Sequence, residues 1–275
     1  MLYLCATPIG NLGDLTPRVR EAFSLCSAVY CEDTRRTLTL LNHCGIKKLL
    51  ISCYRENELA RANEVVNRLL AGETLVYVSD AGMPGISDPG EVLVRACIEN
   101  NLPYSVLPGA SAVLTAAVMS GYPVVPFTFY GFFPREKKTQ KPLLEALKKT
   151  DHLVLFYESP NRVHATLELL LDALGDLDAA VLRELTKLHE EAARGRLSEL
   201  AARYAESDPR GECVLAVYCR AEAEAGTKPD LETLLKSLLS SGLSVRDAAA
   251  EAAAACGVPK KEAYSKALEL QSSLS

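Results

Sequence analysis

Thr74-Leu75-Val76-Tyr77-Val78-Ser79-Asp80-Ala81-Gly82-Met83-Pro84-Gly85-Ile86-Ser87-Asp88-Pro89-Gly90 is the stretch from which the fold is read. Its first five residues are β-branched, aromatic or aliphatic and predict a buried strand. The following Glu91–Ile98 has the apolar spacing of a helix. Between them, Ser79–Gly90 holds three glycines, two prolines and two aspartates. Glycine lets a backbone approach a ligand closely, and proline fixes the loop before anything binds. An ordinary turn with Asp88 as N-cap and Pro89 as first helical residue accounts for the end of this stretch. It leaves the eight residues before Asp88 unexplained. A loop of this kind after a strand of an α/β sheet is where ligands of such folds sit.

The same device recurs on both sides. Residues 2–6 predict a strand, and Thr7-Pro8-Ile9-Gly10-Asn11-Leu12-Gly13-Asp14 follows it. Tyr104–Leu107 predicts another strand, followed by Pro108-Gly109-Ala110-Ser111-Ala112 and a helix of small residues to Ser120. Thr16-Pro17 is a helix start. Ala28–Cys31 and Leu49–Tyr54 complete the strands of this half, and Glu58–Leu70 is a further helix. Alternating strands and helices predict a parallel sheet with the three loops along one edge. None of them has the Gly-x-Gly-x-x-Gly or Gly-Lys-Ser/Thr spacing, which excludes a dinucleotide fingerprint and a P-loop. At the end of Ala28–Cys31 stand Glu32-Asp33-Thr34-Arg35-Arg36. Asp33 or Thr34 as a helix cap and a polar substrate site are equally open readings of this cluster.

Beyond a boundary near residue 120 a second α/β unit is expected. Its helices are Pro142–Lys149, Asn161–Leu174 and Leu197–Ala205, and its strands His152–Tyr157, Ala179–Arg183 and Cys213–Cys219. The alternating Ala/Glu segment Ala221–Pro229 is a linker, and the rest is helical, with a helix–glycine turn–helix around Gly257. The expected domains are 1–120, 121–222 and 228–275. From residue 227 six basic residues face six acidic ones, so a packing module is as good a reading of the tail as a DNA reader.

At 275 residues, 48% hydrophobic and 24% charged, the composition is that of a soluble globular protein. The chain has no basic, signal-like start, and its most apolar window is broken by Pro123 and Pro126. Nine cysteines without a Cys-x-x-Cys pair argue against a disulfide framework and a zinc site, and fit a cytoplasmic protein without a metal. The net charge of −5 counts against nucleic acid. Locally the balance reverses: Arg135–Lys149 carries six basic residues against Glu136 and Glu145.

With these motifs in hand the chain resembles the ribosomal RNA small-subunit methyltransferase I family of the tetrapyrrole (corrin/porphyrin) methylase superfamily. The resemblance runs from residue 2 to about 220, plus a tail. It is carried by Ala6–Asp14, Glu32–Arg35, Ser79–Gly90, Pro108–Ala112, Gly131-Phe132-Phe133-Pro134, Tyr157–Arg162 and Arg183–Lys187 with His189-Glu190-Glu191. It implies two α/β domains with S-adenosylmethionine bound between them, a homodimer, and 2′-O-methylation of a cytidine in 16S rRNA at the decoding centre of the small subunit. It further implies that Pro8 and Gly10 line the cleft, that Asp80, Ala81, Gly82 and Ile86 face the methionine and ribose, and that Ser111 and Ala112 close the pocket. Tyr157 and Gly211-Glu212 would reach the adenosine.

A poorly nucleophilic ribose hydroxyl gains from a base or a cation. Glu184 and Lys187 are the candidates for that role, a structural ion pair being the alternative. Glu32, Asp33 and Arg35 are expected to orient the ribose or its phosphates, and Arg135, Lys137, Lys138 and Lys141 to meet the rRNA backbone. A tetrapyrrole methylase is the nearest rival. A non-catalytic nucleic-acid regulator is another, but would leave the three loops without a purpose.

Overall fold

A computed structural model of the chain describes residues 1–220, 231–240 and 243–274. Residues Met1–Arg220 form one compact unit and Ala221–Ser275 a second. The segment read as a linker, Ala221–Pro229, lies outside the described residues.

The first unit starts with a five-stranded sheet: β1 (Leu2–Cys5), β2 (Ala28–Cys31), β3 (Leu49–Ser52), β4 (Leu75–Val78) and β5 (Tyr104–Leu107). Every pairing is parallel and the order is β3-β2-β4-β1-β5. Strands β2 and β4 are buried at every position because both faces are covered. The strand period of two sorts their residues into two cores. Leu2, Leu4, Tyr30 and Tyr77 meet α3 (Glu58–Leu70) and α4 (Glu91–Glu99). Val29, Cys31, Val76 and Val78 meet α1 (Pro17–Leu25) and α2 (Thr34–Cys44). Chain connections leave the neighbouring strands β1 and β4 in opposite directions, toward β2 and β5, which opens a crevice at their carboxyl ends.

The second sheet has β6 (Phe127–Phe132), β7 (Leu153–Glu158), β8 (Asp178–Arg183), β9 (Glu191–Arg196) and β10 (Cys213–Tyr218), in the order β6-β7-β10-β8-β9. Only β6 and β7 are parallel. Helices α7 (Val163–Leu174) and α8 (Leu197–Tyr204) cover one face. The other face is covered by α5 (Ala112–Ser120), whose Val113, Ala116 and Ala117 pack on Leu155, Leu182, Val214 and Ala216. Arg194 of β9 fastens the end of α5 by donating to the carbonyls of Ser120 (2.9 Å) and Met119. A helix that follows the first sheet thus packs on the second, and the Pro108–Ser111 loop before it lies at the seam.

Three elements depart from the expected order. Strands β6 and β9 lie in segments not read as strands. Helix α6 (Lys137–Leu147) starts five residues before the expected Pro142, which sits inside it. Proline in a first turn costs nothing, whereas at this position a backbone donor is lost.

The second unit consists, among the described residues, of α9 (Leu231–Ser240), α10 (Val245–Cys256) and α11 (Lys260–Leu274). Ser244 caps α10 by accepting the Asp247 N–H, and Gly257 ends it at φ +65°. Its core is built of small residues, Ala248, Ala249, Ala252 and Ala253, against Leu235, Ala263, Ala267 and Leu270.

Candidate active site

Three Gly/Pro loops converge where β1, β4 and β5 end. Thr7 and Gly82 join the first two by a reciprocal pair of backbone hydrogen bonds, 2.9 and 3.0 Å. Gly82 holds φ +78° to do so. Facing them, across a cleft of about 360 Å³, are the ends of β6, β7 and β10. This volume is in the range of small-molecule sites.

Asp80, Ala81, Gly82 and Ile86 line the cleft from the β4 loop, and Ser111 and Ala112 from the β5 loop. Tyr157, Gly211 and Glu212 line the opposite wall. The wall also takes in Phe132, Glu158, Leu185 and Val214. Of the first loop, Ile9 lines the cleft, while Pro8 and Gly10 on either side of it do not. Gly10 instead abuts the far wall: a Cβ there would lie 2.4 Å from Lys187 Cγ.

Glu184 and Lys187 stand behind the lining rather than in it. Lys187 Nζ donates to Glu184 at 2.7 Å and Glu212 at 2.8 Å, and the Glu212 N–H donates to Glu184 at 3.1 Å. The bond to Lys187 holds the Glu184 carboxyl below its ordinary value. Burial works against the Lys187 charge, but its two carboxylate bonds outweigh it and hold the ammonium above its ordinary value. Glu184 (φ +51°) and Thr186 (φ +65°) are both in the left-handed region, and the buried Thr186 hydroxyl has no partner among the described residues. Strain of this kind persists only where the surroundings over-determine it.

At the end of β2, Asp33 caps α2 by accepting the Arg35 N–H at 2.8 Å and also takes two hydrogen bonds from the Arg35 guanidinium. Those bonds hold its carboxyl down at about 2. Arg35 is thereby spent at the surface. Arg36, the last residue of the Glu32–Arg36 cluster and not singled out among its expected substrate ligands, lines the cleft and lies 3.6 Å from Asp80. Asp80 also accepts the Asp33 N–H at 3.0 Å. Glu32 stands beside it with its carboxyl pushed up, by burial first and then by the Asp80 charge.

Asp88 is not the cap of α4. Gly90 occupies that position at φ +136°, and its N–H donates to Glu58 at 2.7 Å. Asp88 faces the cleft instead.

Of the basic run, Arg135 and Lys137 line a second groove of about 530 Å³, together with Gln140, Asn161 and Arg162. Ser159 belongs to both groove and cleft. Lys138 and Lys141 are exposed on α6 and line neither. All nine cysteines are buried free thiols, and no group of side chains suited to a metal occurs among the described residues.

The lining suits a sulfonium nucleoside. Ile86, Phe132, Tyr157 and Val214 offer an apolar slot for a base, and Asp80 and Glu212 offer carboxylates to a diol and an ammonium. The backbone N–H of Ala81 can meet a carboxylate without a phosphate-binding helix.

Comparison with known proteins agrees. Residues 1–201 match the model of the Tetrapyrrole (Corrin/Porphyrin) Methylases, and residues 225–271 that of the RsmI C-terminal HTH domain. The chain is 39% identical over 274 residues to a Synechocystis protein named Ribosomal RNA small subunit methyltransferase I, covering 98% of each. It is 39% identical over 270 residues to the Bacillus subtilis protein of the same name, covering 96% of this chain and 92% of that one. The fold is shared with uroporphyrin-III C-methyl transferase from Thermus thermophilus complexed with S-adenyl homocysteine. That likeness has a TM-score of 0.55 at 16% identity and covers 78% of this chain and 96% of that one. With its three loops and opposing wall assembled in this way, the chain belongs to the ribosomal RNA small subunit methyltransferase I family within the tetrapyrrole (corrin/porphyrin) methylases.

Proposed function

We propose that the chain transfers a methyl group from S-adenosylmethionine to the 2′-hydroxyl of a cytidine ribose in 16S rRNA, at the decoding centre of the small ribosomal subunit. The observation that carries this is the cleft in which Asp80, Ala81, Gly82, Ile86, Ser111 and Ala112 face Tyr157, Gly211 and Glu212. These nine hold the donor, and Pro8 and Gly10 set the backbone on either side of Ile9. When bound, the donor supplies an electrophilic methyl carbon on a sulfonium. The chain's own task is to orient the hydroxyl and exclude water, which contributes roughly 7–11 kcal/mol to such reactions. Of the two readings of Glu184 and Lys187, we take the structural ion pair: Lys187 is already neutralised by two carboxylates, and the pair ties the Glu212 segment to the wall that the Gly10 loop abuts. Arg36, with Glu32, Asp33 and Arg35 behind it, meets the target ribose and its phosphates.

The second groove supports an RNA path from the cleft over Ser159 to Arg135 and Lys137, with Lys138 and Lys141 beside it. Replacing Lys137, Lys138 and Lys141 by glutamine is expected to flatten the slope of log affinity against log salt by about 2, at about 0.7 per contact with single-stranded RNA. An unaltered slope in filter binding of a 16S fragment removes them from the interface.

A homodimer in the cytoplasm completes the proposal. The exposed apolar residues Leu114 and Val118, one turn apart on α5, and Val125 beyond it support the dimer. No helix among the described residues is long and apolar enough to cross a membrane. Calorimetry with S-adenosylhomocysteine is expected to give a saturable heat, and labelled donor with small subunits a ribose methyl located by primer extension at low nucleotide concentration. Transfer to a porphyrinogen but not to rRNA favours the tetrapyrrole rival. Absence of any heat sinks both.

A further inference from the structure

The ribose hydroxyl must lose a proton, and the cleft wall contains few groups that are free to take it. Asp80 is occupied by Arg36 and the Asp33 N–H. Glu158 accepts from Ser159 N and Thr166 Oγ1 and pairs with Arg162. Glu212 pairs with Lys187. The Tyr157 phenol is pushed up to about 12, by burial first, and stays neutral. Asp88 differs from all of these. Among the described residues no cation lies within ion-pairing distance of it, and the N-cap position of the helix it precedes belongs to Gly90.

We propose that Asp88 is the proton acceptor of the methyl transfer: a carboxylate on the wall of the donor cleft, with no ion pair among the described residues and clear of the N-cap position of α4, which Gly90 occupies. The inference rests on the methyltransferase function proposed above. As the hydroxyl oxygen forms its bond to the methyl carbon, the carbon–sulfur bond breaks with its electron pair left on sulfur. The hydroxyl proton passes to an Asp88 carboxylate oxygen.

The surroundings poise this carboxylate for the task. Burial raises its pKa to about 6, the Glu32 charge at the end of β2 adds to the rise, and so does Asp80 at the end of β4. The Ser79 hydroxyl and the more distant Arg55 act the other way. Tyr77 and Tyr157, the phenols near it, are both held neutral by burial. A base with a pKa just under the working pH is ionised yet still basic enough to accept a proton.

Three measurements test this. Asp88→Asn is expected to lower kcat by about 100-fold or more while S-adenosylhomocysteine affinity by calorimetry stays within about threefold. Asp88→Glu, which keeps the carboxylate but displaces it, is expected to fall between Asn and wild type. In the unliganded wild-type protein, the carboxyl carbon resonance that Asp88→Asn removes should titrate near pH 6, and wild-type kcat should fall as pH drops through that value. An Asn variant with wild-type kcat overturns the proposal, as does one whose cofactor affinity falls in step with kcat, which makes Asp88 a cofactor ligand. A resonance that titrates near the ordinary aspartate value of about 4 overturns it as well. If the wild-type protein neither binds the product nor methylates small subunits, the methyltransferase function itself fails. If it does both and the Asn variant is unimpaired, only the role of Asp88 is lost.

Discussion

Replacing Glu58 by alanine is expected to weaken S-adenosylhomocysteine binding by roughly 10- to 100-fold, while Glu58→Gln holds it within about threefold. Glu58 opens α3 and is 4% exposed, an unusual place for a carboxylate. Its Oε1 accepts the Gly90 N–H, 32 residues away, at 2.7 Å. Gly90 has φ +136°, and a Cβ on it would lie 3.2 Å from both Gly85 N and Tyr77 Cε1. Only glycine fits there, and its donor is buried, so it must have a partner. Gly85 N donates to Pro89 O at 3.0 Å and draws the two ends of the Pro84–Pro89 turn together. The cleft loop is thus pinned by Thr7 near β4 and by Glu58 near α4. Glutamine keeps the acceptor oxygen. Alanine leaves a buried N–H unsatisfied at a cost of about 1–3 kcal/mol, which the loop escapes by moving. Calorimetry beside a thermal melt separates lost affinity from lost fold. Wild-type affinity in the alanine variant would mean that the loop keeps its shape without this bond.

The sequence made the cleft legible because a parallel sheet buried on both faces needs uninterrupted apolar runs. Leu75–Val78 and Ala28–Cys31 are such runs, and the Gly/Pro loops that follow break them sharply. Strand β9 carries no such mark. Glu191-Ala192-Ala193-Arg194-Gly195-Arg196 has no β-branched or aromatic residue. It is a strand because six of its residues pair with β8, and because Glu191 and Arg196 reach Arg183 and Asp178 across the ladder. The start of α6 is hidden for a related reason. Its first turn is lysine-rich with no apolar spacing, so Pro142 looked like its start.

Within the site, a one-residue difference in side-chain direction decided what could be read. Ile9 enters the cleft while Pro8 and Gly10 on either side of it do not, a choice made in the bend after β1 that sequence spacing does not reveal. Arg35 is drawn off by Asp33 and Arg36 faces the cleft, a choice set by the turn of α2 about its axis. Asp88 followed by Pro89 has the local look of a helix cap. The N-cap position falls instead on Gly90, whose φ of +136° and bond to Glu58 no local pattern reveals.

Glu158→Ala is expected to destabilise the first unit by about 3–5 kcal/mol, the range for removing one member of a buried ion pair. In a unit of this size that lowers the melting temperature by roughly 10 °C. The Glu158 side chain is fully buried at the end of β7, where it takes the Ser159 N–H at 2.8 Å and the Thr166 hydroxyl at 2.7 Å. Arg162 lies 3.3 Å from it and donates onward to the carbonyls of Phe133 and Pro134. One carboxylate therefore holds β7, the start of α7 and the end of β6 around the ridge that separates the cleft from the basic groove. Removing it leaves the Arg162 charge half-buried without its counter-ion and two donors without an acceptor. Glu158→Gln keeps both hydrogen-bonding positions, since its amide can accept from Ser159 N and donate to Thr166 Oγ1, and gives up only the charge. Its loss is expected to be less than half that of alanine, by thermal melt and by urea midpoint. Because Ser159 borders both cavities, the alanine variant should lose donor affinity and RNA affinity together even below its melting range. Loss of one alone would show that the ridge does not couple them.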